Sequence, residues 1–326
     1  MDRPVTRKFR ILFMGTPEFA VASLDALIRD GQHVIAVVTS MDKPAGRGRK
    51  MRTSPVKTCA LSHHIPVLQP EKLRSPDFLE ELHNLQPDLI VVVAFRMLPE
   101  QVWKLPPMGT INLHASLLPQ YRGAAPINHV LMNGETETGV TTFFIEKDID
   151  TGKIILREPV PIDPDENAGS LHDKILKAGA ALLIRTVRSI AQGNPPLIDQ
   201  AALIKEHAAL KTAPKIFKED CRVNWDQEAD RIYDHIRGLS PYPAAWTILQ
   251  NQEGEEKILK IFAAEKEILP VNEKSGTLLT DDINTLEIAC RNGIIRLTRV
   301  QIEGKKKMET SEFLRGLKDL SGLLFK

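Results

Sequence analysis

The sequence predicts an α/β protein: an open, mostly parallel sheet followed by a small β-barrel domain. Three observations carry this. Apolar runs alternate with helical patterns through the first 192 residues, the order that builds parallel strands with crossover helices. The segment Asp88–Phe95 is apolar at every position after its aspartate, as in a strand covered on both faces. After Gln192-Gly193-Asn194-Pro195-Pro196 the pattern changes to short strand-like segments separated by turns. The 326 residues are more than one typical domain holds. They divide into a first domain over 1–192, a linker over 193–210 and a second domain over 211–326.

Each element has its own reason. Phe9–Met14 is an apolar strand that stops at Gly15. Thr16-Pro17-Glu18 then reads as N-cap, first helical residue and an acid matched to the helix dipole, opening a helix to Arg29. His33–Val38 is the next strand, and a Gly- and basic-rich loop follows it until Ser54-Pro55 starts a second helix. Pro66-Val67-Leu68 is a short strand, Ser75–Leu85 a helix and Asp88–Phe95 the buried strand. Gly109–His114, Val140–Ile145 and Lys153–Val160 are further strands, with helices at Ala125–Met132 and Ala168–Gln192. Beyond the linker, Asp226–Gly238 is helical. Trp246–Leu249, Lys257–Ala263, Gly276–Leu279, Thr285–Ala289 and Gly293–Val300 are the strands of a barrel of the OB type.

Composition narrows the function. Lys and Arg exceed Asp and Glu by 43 to 42, a net charge of +1, so a polyanionic partner must be gripped by a local patch. Cys59, Cys221 and Cys290 are odd in number and far apart, against a disulfide framework or a cysteine zinc site. The opening MDRPVTRKFR is polar, and the longest aliphatic run, Leu89–Phe95, is too short to span a bilayer. We therefore expect a cytoplasmic protein with reduced thiols and no membrane partner.

The strongest chemical feature is Ile111-Asn112-Leu113-His114 and the loop Ala115–Pro119. Alternation puts Thr110, Asn112 and His114 on one face of the strand. A strand covered on both sides has little reason to carry an amide and an imidazole near its carboxyl end. The plain alternative is a hydrogen-bonded core pair. The chemical reading is a carbonyl-polarising pair, in which Asn112 donates to a developing oxyanion and His114 donates a second bond or a proton. A carboxylate from Asp148-Ile149-Asp150-Thr151-Gly152 would complete the set; spacing does not choose between the two aspartates, and either could simply make an Asx-turn.

Lys43 through Lys57 holds Arg47, Arg49, Lys50 and Arg52 and no acid, which suits either a solvated loop or phosphate binding. Lys305-Lys306-Lys307 is a weaker echo. No GxGxxG follows the first strand, which argues against a nicotinamide enzyme. No P-loop is present, His63-His64 reads as a surface pair, and Ser116 lacks a nucleophile elbow.

Taken together, MGTPEFA (14–20), DKPAGRGRK (42–50), NLHASLLPQYRGAAPI (112–127), DIDTG (148–152) and VNWDQEADRIYDHIRGLSPYPAAW (223–246) resemble the folate-dependent formyltransferases over nearly the whole chain. The resemblance implies a Rossmann-like catalytic domain and a C-terminal OB-like domain that binds tRNA. The Asn-x-His motif with its distant aspartate belongs to the whole family and fixes the reaction. The AGRGRK loop and the barrel point to a tRNA acceptor rather than a small amine such as a sugar nucleotide or glycinamide ribonucleotide. The implied reaction moves the formyl group of 10-formyltetrahydrofolate to the α-amino group of methionyl initiator tRNA, for translation initiation, by a monomer without a metal.

Carried over by position, the catalytic amide, imidazole and carboxylate fall on Asn112, His114 and Asp150. Ser116, Leu117, Leu118 and Pro119 match the folate-pocket segment, and the backbone around Arg96, Met97 and Leu98 matches the stretch that reads the pterin ring. Arg47 matches the loop arginine that approaches the acceptor stem, with Arg49, Lys50 and Lys305–Lys307 as further tRNA contacts. The chain departs from the family at Phe95-Arg96 (commonly Tyr-Gly), Asp148 (commonly Gly) and Tyr121 (commonly Trp).

Overall fold

A computed structural model describes residues 9–45, 50–204, 209–250, 253–279, 284–316 and 324–326. The chain forms two compact units, one from residues 1–122, 138–160 and 173–211, the other from 123–137, 161–172 and 212–326. In chain order the elements are β1 (Arg10–Gly15), α1 (Glu18–Arg29), β2 (His33–Val38), β3 (Lys43–Ala45), β4 (Lys50–Arg52), α2 (Pro55–Ser62), β5 (Val67–Leu68), α3 (Pro76–Leu85), β6 (Leu89–Val93), α4 (Glu100–Trp103), β7 (Thr110–His114), β8 (Arg122–Gly123), α5 (Pro126–Met132), β9 (Glu137–Phe144), β10 (Ile154–Pro161) and α6 (Ala168–Ala191). Then follow β11 (Thr212–Ala213), α7 (Ala229–Leu239), β12 (Ala245–Gln250), β13 (Glu256–Ile268), β14 (Leu278–Leu279), β15 (Glu287–Cys290), β16 (Gly293–Ile302), β17 (Met308–Glu309), α8 (Thr310–Arg315) and β18 (Leu324–Phe325).

The first unit is built on a seven-stranded sheet in the order β10-β9-β7-β6-β1-β2-β5. The pairs β1–β2, β1–β6, β6–β7 and β2–β5 are parallel, and β9 joins β7 antiparallel. Ile11 through Met14 are wholly buried, as a central strand covered on both faces requires. One face packs Leu12, Met14, Ile90 and Val92 on Phe78 and Leu82 of α3. The α1 helix faces the core with Ala20, Ser23, Leu24 and Leu27, a helical spacing.

Two details differ from the sequence reading. Thr16 does not cap α1: Pro17 occupies the N-cap position without a side-chain bond. The turn into the helix is tight, since a Cβ on Gly15 would lie 2.7 Å from that of Ala20. The basic stretch, read as a loop, is flanked by a hairpin, with Lys43 opposite Arg52 and Pro44 opposite Met51. Its base is fixed by Lys57, whose Nζ donates to Asp42 (2.6 Å) and to Gln69 (2.7 Å), and Ser54 Oγ caps α2 as expected. The Lys57 ammonium beside Asp42, with the Gln69 amide, holds that carboxyl below its ordinary range.

In the second unit an antiparallel sheet runs β14-β15-β16-β13-β12-β18. A bridge between Thr277 and Leu324 brings the two ends of that path together, so the sheet curls round on itself. Strand β13 is longer than its apolar pattern suggests, because register shifts near Ala263 bend it while pairing with β16 continues. The core gathers Trp225, Ile232, Ile236, Leu259, Ile261, Ile288, Leu297 and Phe313. Buried Trp225 satisfies its indole N–H on Thr247 Oγ1 at 3.0 Å. Among the described residues no helix is long and apolar enough to cross a membrane.

Candidate active site

Strand β7 lies between β6 and β9, and its pairing sets its polar face: Asn112 stands opposite Val92 on one side and Phe143 on the other. Thr110, Asn112 and His114 share that face, and each has a different fate. Thr110 Oγ1 donates to the Trp103 carbonyl at 2.8 Å and serves the structure. His114, the last residue of the strand, is buried edge-on against Phe143, with ring centroids 6.5 Å apart. The Asn112 amide, half-buried, makes no side-chain hydrogen bond to another described residue. An amide left available on a sheet face is suited to bind an oxygen brought to it.

His114 is held from both sides. Its Nε2 lies 2.9 Å from the Tyr121 carbonyl oxygen, which only accepts, so the bond assigns a hydrogen to Nε2. Nδ1 lies 3.8 Å from Asp150 Oδ2, and both side chains are largely buried. The ring thus presents Nε2 to the Tyr121 carbonyl and Nδ1 to the Asp150 carboxylate. Asp148 is exposed, and its carbonyl accepts from Thr151 Oγ1 (3.0 Å); of the two candidate aspartates only Asp150 approaches the imidazole. Gly152 permits the turn that aims it, because a Cβ there would lie 1.8 Å from the Phe144 carbonyl oxygen.

Backbone strain gathers at the same place. Ala94, Tyr121 and Asp150 have φ of 47°, 60° and 55°, the left-handed region that non-glycine residues avoid. Such positions each cost about 1–3 kcal/mol and persist only where surroundings over-determine them.

The remaining expected residues lie as follows. Ser116 and Leu118 are fully buried: Ser116 Oγ donates to the Gln120 carbonyl (2.7 Å), and Leu118 packs on Phe143 and Ile154. Pro119 is buried as well, so Leu117 is the partly exposed side chain of the four. The loop is tied to β9 through Thr141 Oγ1, which donates to the Ser116 carbonyl (2.6 Å) and accepts from the Leu118 N–H (3.1 Å). At the carboxyl end of β6, Arg96 and Met97 are exposed and Leu98 is buried. Residues 95–98 make no backbone hydrogen bond to other described residues, leaving a free edge of N–H and C=O groups that fits a heterocycle with donors and acceptors along its rim. Arg96 bends away from that edge, lying 5.6 Å from the Phe95 ring centroid while its guanidinium donates to the carbonyls of Pro70 and Glu71 (2.7 Å).

Arg47 and Arg49 lie outside the described residues, and Lys50 begins β4. Lys305, Lys306 and Lys307 are exposed in the turn after β16, with the Lys307 ammonium 4.2 Å from the Phe262 ring centroid. The same turn contributes Gly304 to a cavity of about 590 Å³ that also involves Phe217, Lys218, Tyr242, Trp246 and Lys260. Lys218 and Arg222 both sit over the Trp246 ring, at 5.8 and 5.7 Å. The sequence reading missed Tyr121 as the acceptor for His114, because a main-chain carbonyl carries no residue-type signal. It also missed Gln200, which lies inside the expected linker.

The family model described as formyl transferase matches residues 7–187, and the one described as formyl transferase, C-terminal domain, matches residues 215–318. The methionyl-tRNA formyltransferase of Bacteroides fragilis is 50% identical over 307 residues, 94% of this chain and 94% of that protein. The methionyl-tRNA formyltransferase of Parabacteroides distasonis is 50% identical over 313 residues, 96% and 97% of the two chains. Among solved structures, an N-formyltransferase from Helicobacter canadensis in complex with folinic acid and dTDP-3-aminofucose superposes with a TM-score of 0.63 at 20% identity, covering 88% of this chain and 98% of the other. HypX from Aquifex aeolicus in complex with tetrahydrofolic acid gives 0.60 at 21% identity; this chain is 94% covered but spans 47% of HypX. At those identities the structural likeness is one of fold.

Proposed function

The chain belongs to the formyl transferase family, and from that membership and the site at the end of β7 we infer that it formylates the α-amino group of methionyl initiator tRNA. The observation that carries the chemistry is the available Asn112 amide beside an imidazole bracketed by the Tyr121 carbonyl and Asp150. Bound 10-formyltetrahydrofolate supplies the formyl group and departs as tetrahydrofolate. The free backbone edge at 95–98 supports its heterocycle being read by main-chain groups.

The acceptor is an α-amine, with an ordinary pKa of about 7.7–8.0 that esterification of its carboxyl lowers, so much of it is neutral and nucleophilic at neutral pH. Attack builds negative charge on the formyl oxygen and positive charge on the amine. Asn112 donates to that oxygen; a donor in this role is worth roughly 2.7–4 kcal/mol. His114 accepts the amine proton at Nδ1, opposite Asp150, and delivers it to the departing folate nitrogen, so protons balance within the site. These residue roles are our assignment.

For the tRNA, a basic segment and recognition of the end of the acceptor are physically sensible, because the A-form major groove is too narrow for side chains to read. From Glu206 onward Lys and Arg number 19 against 20 Asp and Glu, so this C-terminal stretch grips phosphate by segregated cations such as Lys305–Lys307 rather than by net charge. The cations over Trp246 and the exposed rings of Phe217 and Tyr242 support a nucleic-acid face on that unit. We place the activity in the cytoplasm.

Formyl transfer from 10-formyltetrahydrofolate, offered charged initiator tRNA, uncharged tRNA and small amines, tests the reading. Product on the charged tRNA alone is expected. Transfer to a small amine with none to tRNA would contradict it and favour the small-amine enzyme. In the same assay, neutralising Arg47, Arg49 and Lys50 together is expected to flatten the salt dependence of KM for tRNA, and an unchanged slope would remove those residues from the interface.

A further inference from the structure

Gln200 is 2% exposed and stands at the start of a short 3-10 turn, Gln200–Leu203, whose Asp199 cap accepts from the Ala201 N–H at 2.9 Å. All four hydrogen-bonding capacities of its side chain are used. Nε2 donates to the Asp150 carbonyl (2.9 Å) and to the Gly152 carbonyl (2.8 Å), while Oε1 accepts from Arg122 Nε (3.1 Å) and Nη2 (2.6 Å). The amide has one orientation: reversed, it would set an oxygen against two carbonyls and an NH2 against a guanidinium.

The two segments that Gln200 joins are those that flank the imidazole. Arg122 follows Tyr121, whose carbonyl receives His114 Nε2–H, and the Asp150–Gly152 turn carries the carboxylate facing Nδ1. Tyr121 and Asp150 are both in left-handed backbone, a conformation that a bulky tyrosine would leave without restraint. We propose that Gln200, with Arg122, is a positioning residue for formyl transfer: its fully bonded amide sets the spacing between the Tyr121 carbonyl and the Asp150 carboxylate, and so holds the tautomer and orientation of His114. The proposal rests on the formyl-transfer reading above. It also gives a chemical task to the stretch after Pro195-Pro196, which sequence alone reads as a connection.

Gln200→Met removes all four bonds while keeping the volume. Gln200→Glu keeps an acceptor for Arg122 but turns oxygen toward the Asp150 and Gly152 carbonyls. For both, kcat is expected to fall at least tenfold, with KM for tRNA and for the folate within about twofold of wild type and circular dichroism unchanged. The decisive comparison is a cycle with Asp150→Ala. If Gln200 acts through that carboxylate, Gln200→Met costs at most about twofold further once it is gone. Independently of turnover, the 15N resonances of the His114 ring are expected to report the Nε2–H tautomer in the wild type and a mixture of tautomers in Gln200→Met. Wild-type transfer in the same assay checks the underlying reading separately. The proposal is overturned if Gln200→Met and Gln200→Glu keep near-normal kcat, if the Gln200→Met and Asp150→Ala losses multiply, or if the ring resonances are the same in both proteins.

Discussion

Gly152 shows how little room the site leaves a single residue. A methyl group there would lie 1.8 Å from the Phe144 carbonyl oxygen, so the Asp150–Gly152 turn must shift before alanine fits. Forcing extra volume into a packed position costs about 1–3 kcal/mol. Gly152→Ala should therefore lower the melting temperature by a few degrees and cut kcat at least tenfold, since the displaced atoms carry Asp150. Activity kept at its normal level in a destabilised protein would show that the turn does not position the carboxylate. Strand alternation put Asn112 and His114 on one face but left a hydrogen-bonded core pair open, and it was the resemblance to the folate-dependent formyltransferases that gave the two a chemical task. Asp150 was not legible in spacing, because Asp148 has the same local pattern, and the choice depends on β7 and the β9–β10 turn meeting in space. Gln200 gave no local signal, since its partners lie 78 residues before it in one case and 50 in the other.

Among the elements, helix α7 carries an unused imidazole. His235 lies on this helix with Nε2 buried and unpartnered, and burial pushes its pKa below the ordinary value of about 6.5 despite a bond to the Cys221 backbone. Since the folded state resists protonation there, the unfolded state binds more protons below about pH 6.5. The stability that neutral His235 secures is thus present above that pH and is lost as pH falls toward the lowered folded-state value. The slope is at most about 1.4 kcal/mol per pH unit. Urea midpoints of the second unit, followed by fluorescence of buried Trp225, should fall more steeply between pH 7 and 5 in the wild type than in His235→Gln. Parallel curves would contradict this. At this scale most of the fold was readable: the parallel strands were apolar runs and the Ser54 cap was where its residue type placed it. The hairpin strands β3 and β4 and the short strands β17 and β18 were not, because strands of two or three residues carry too little pattern.

For the whole molecule, we propose a division of labour in which the end of β7 carries the transfer and cations elsewhere carry the tRNA. Net charge close to neutrality made a polyanion partner invisible in bulk composition, and the acid-free run from Lys43 to Lys57 suited a solvated loop as well as phosphate binding. A separation of this kind predicts that chemistry and tRNA affinity respond to different substitutions. The measurement that tests it most directly is single-turnover formyl transfer by Asn112→Ala and His114→Ala, each paired with its Kd for charged initiator tRNA. Loss of an oxyanion donor lowers such rates by about 10²–10³, so we predict at least a tenfold fall in each variant with a Kd within about twofold of wild type. Near-normal transfer in either variant, or a rate loss matched by an equal loss of tRNA affinity, would contradict the account.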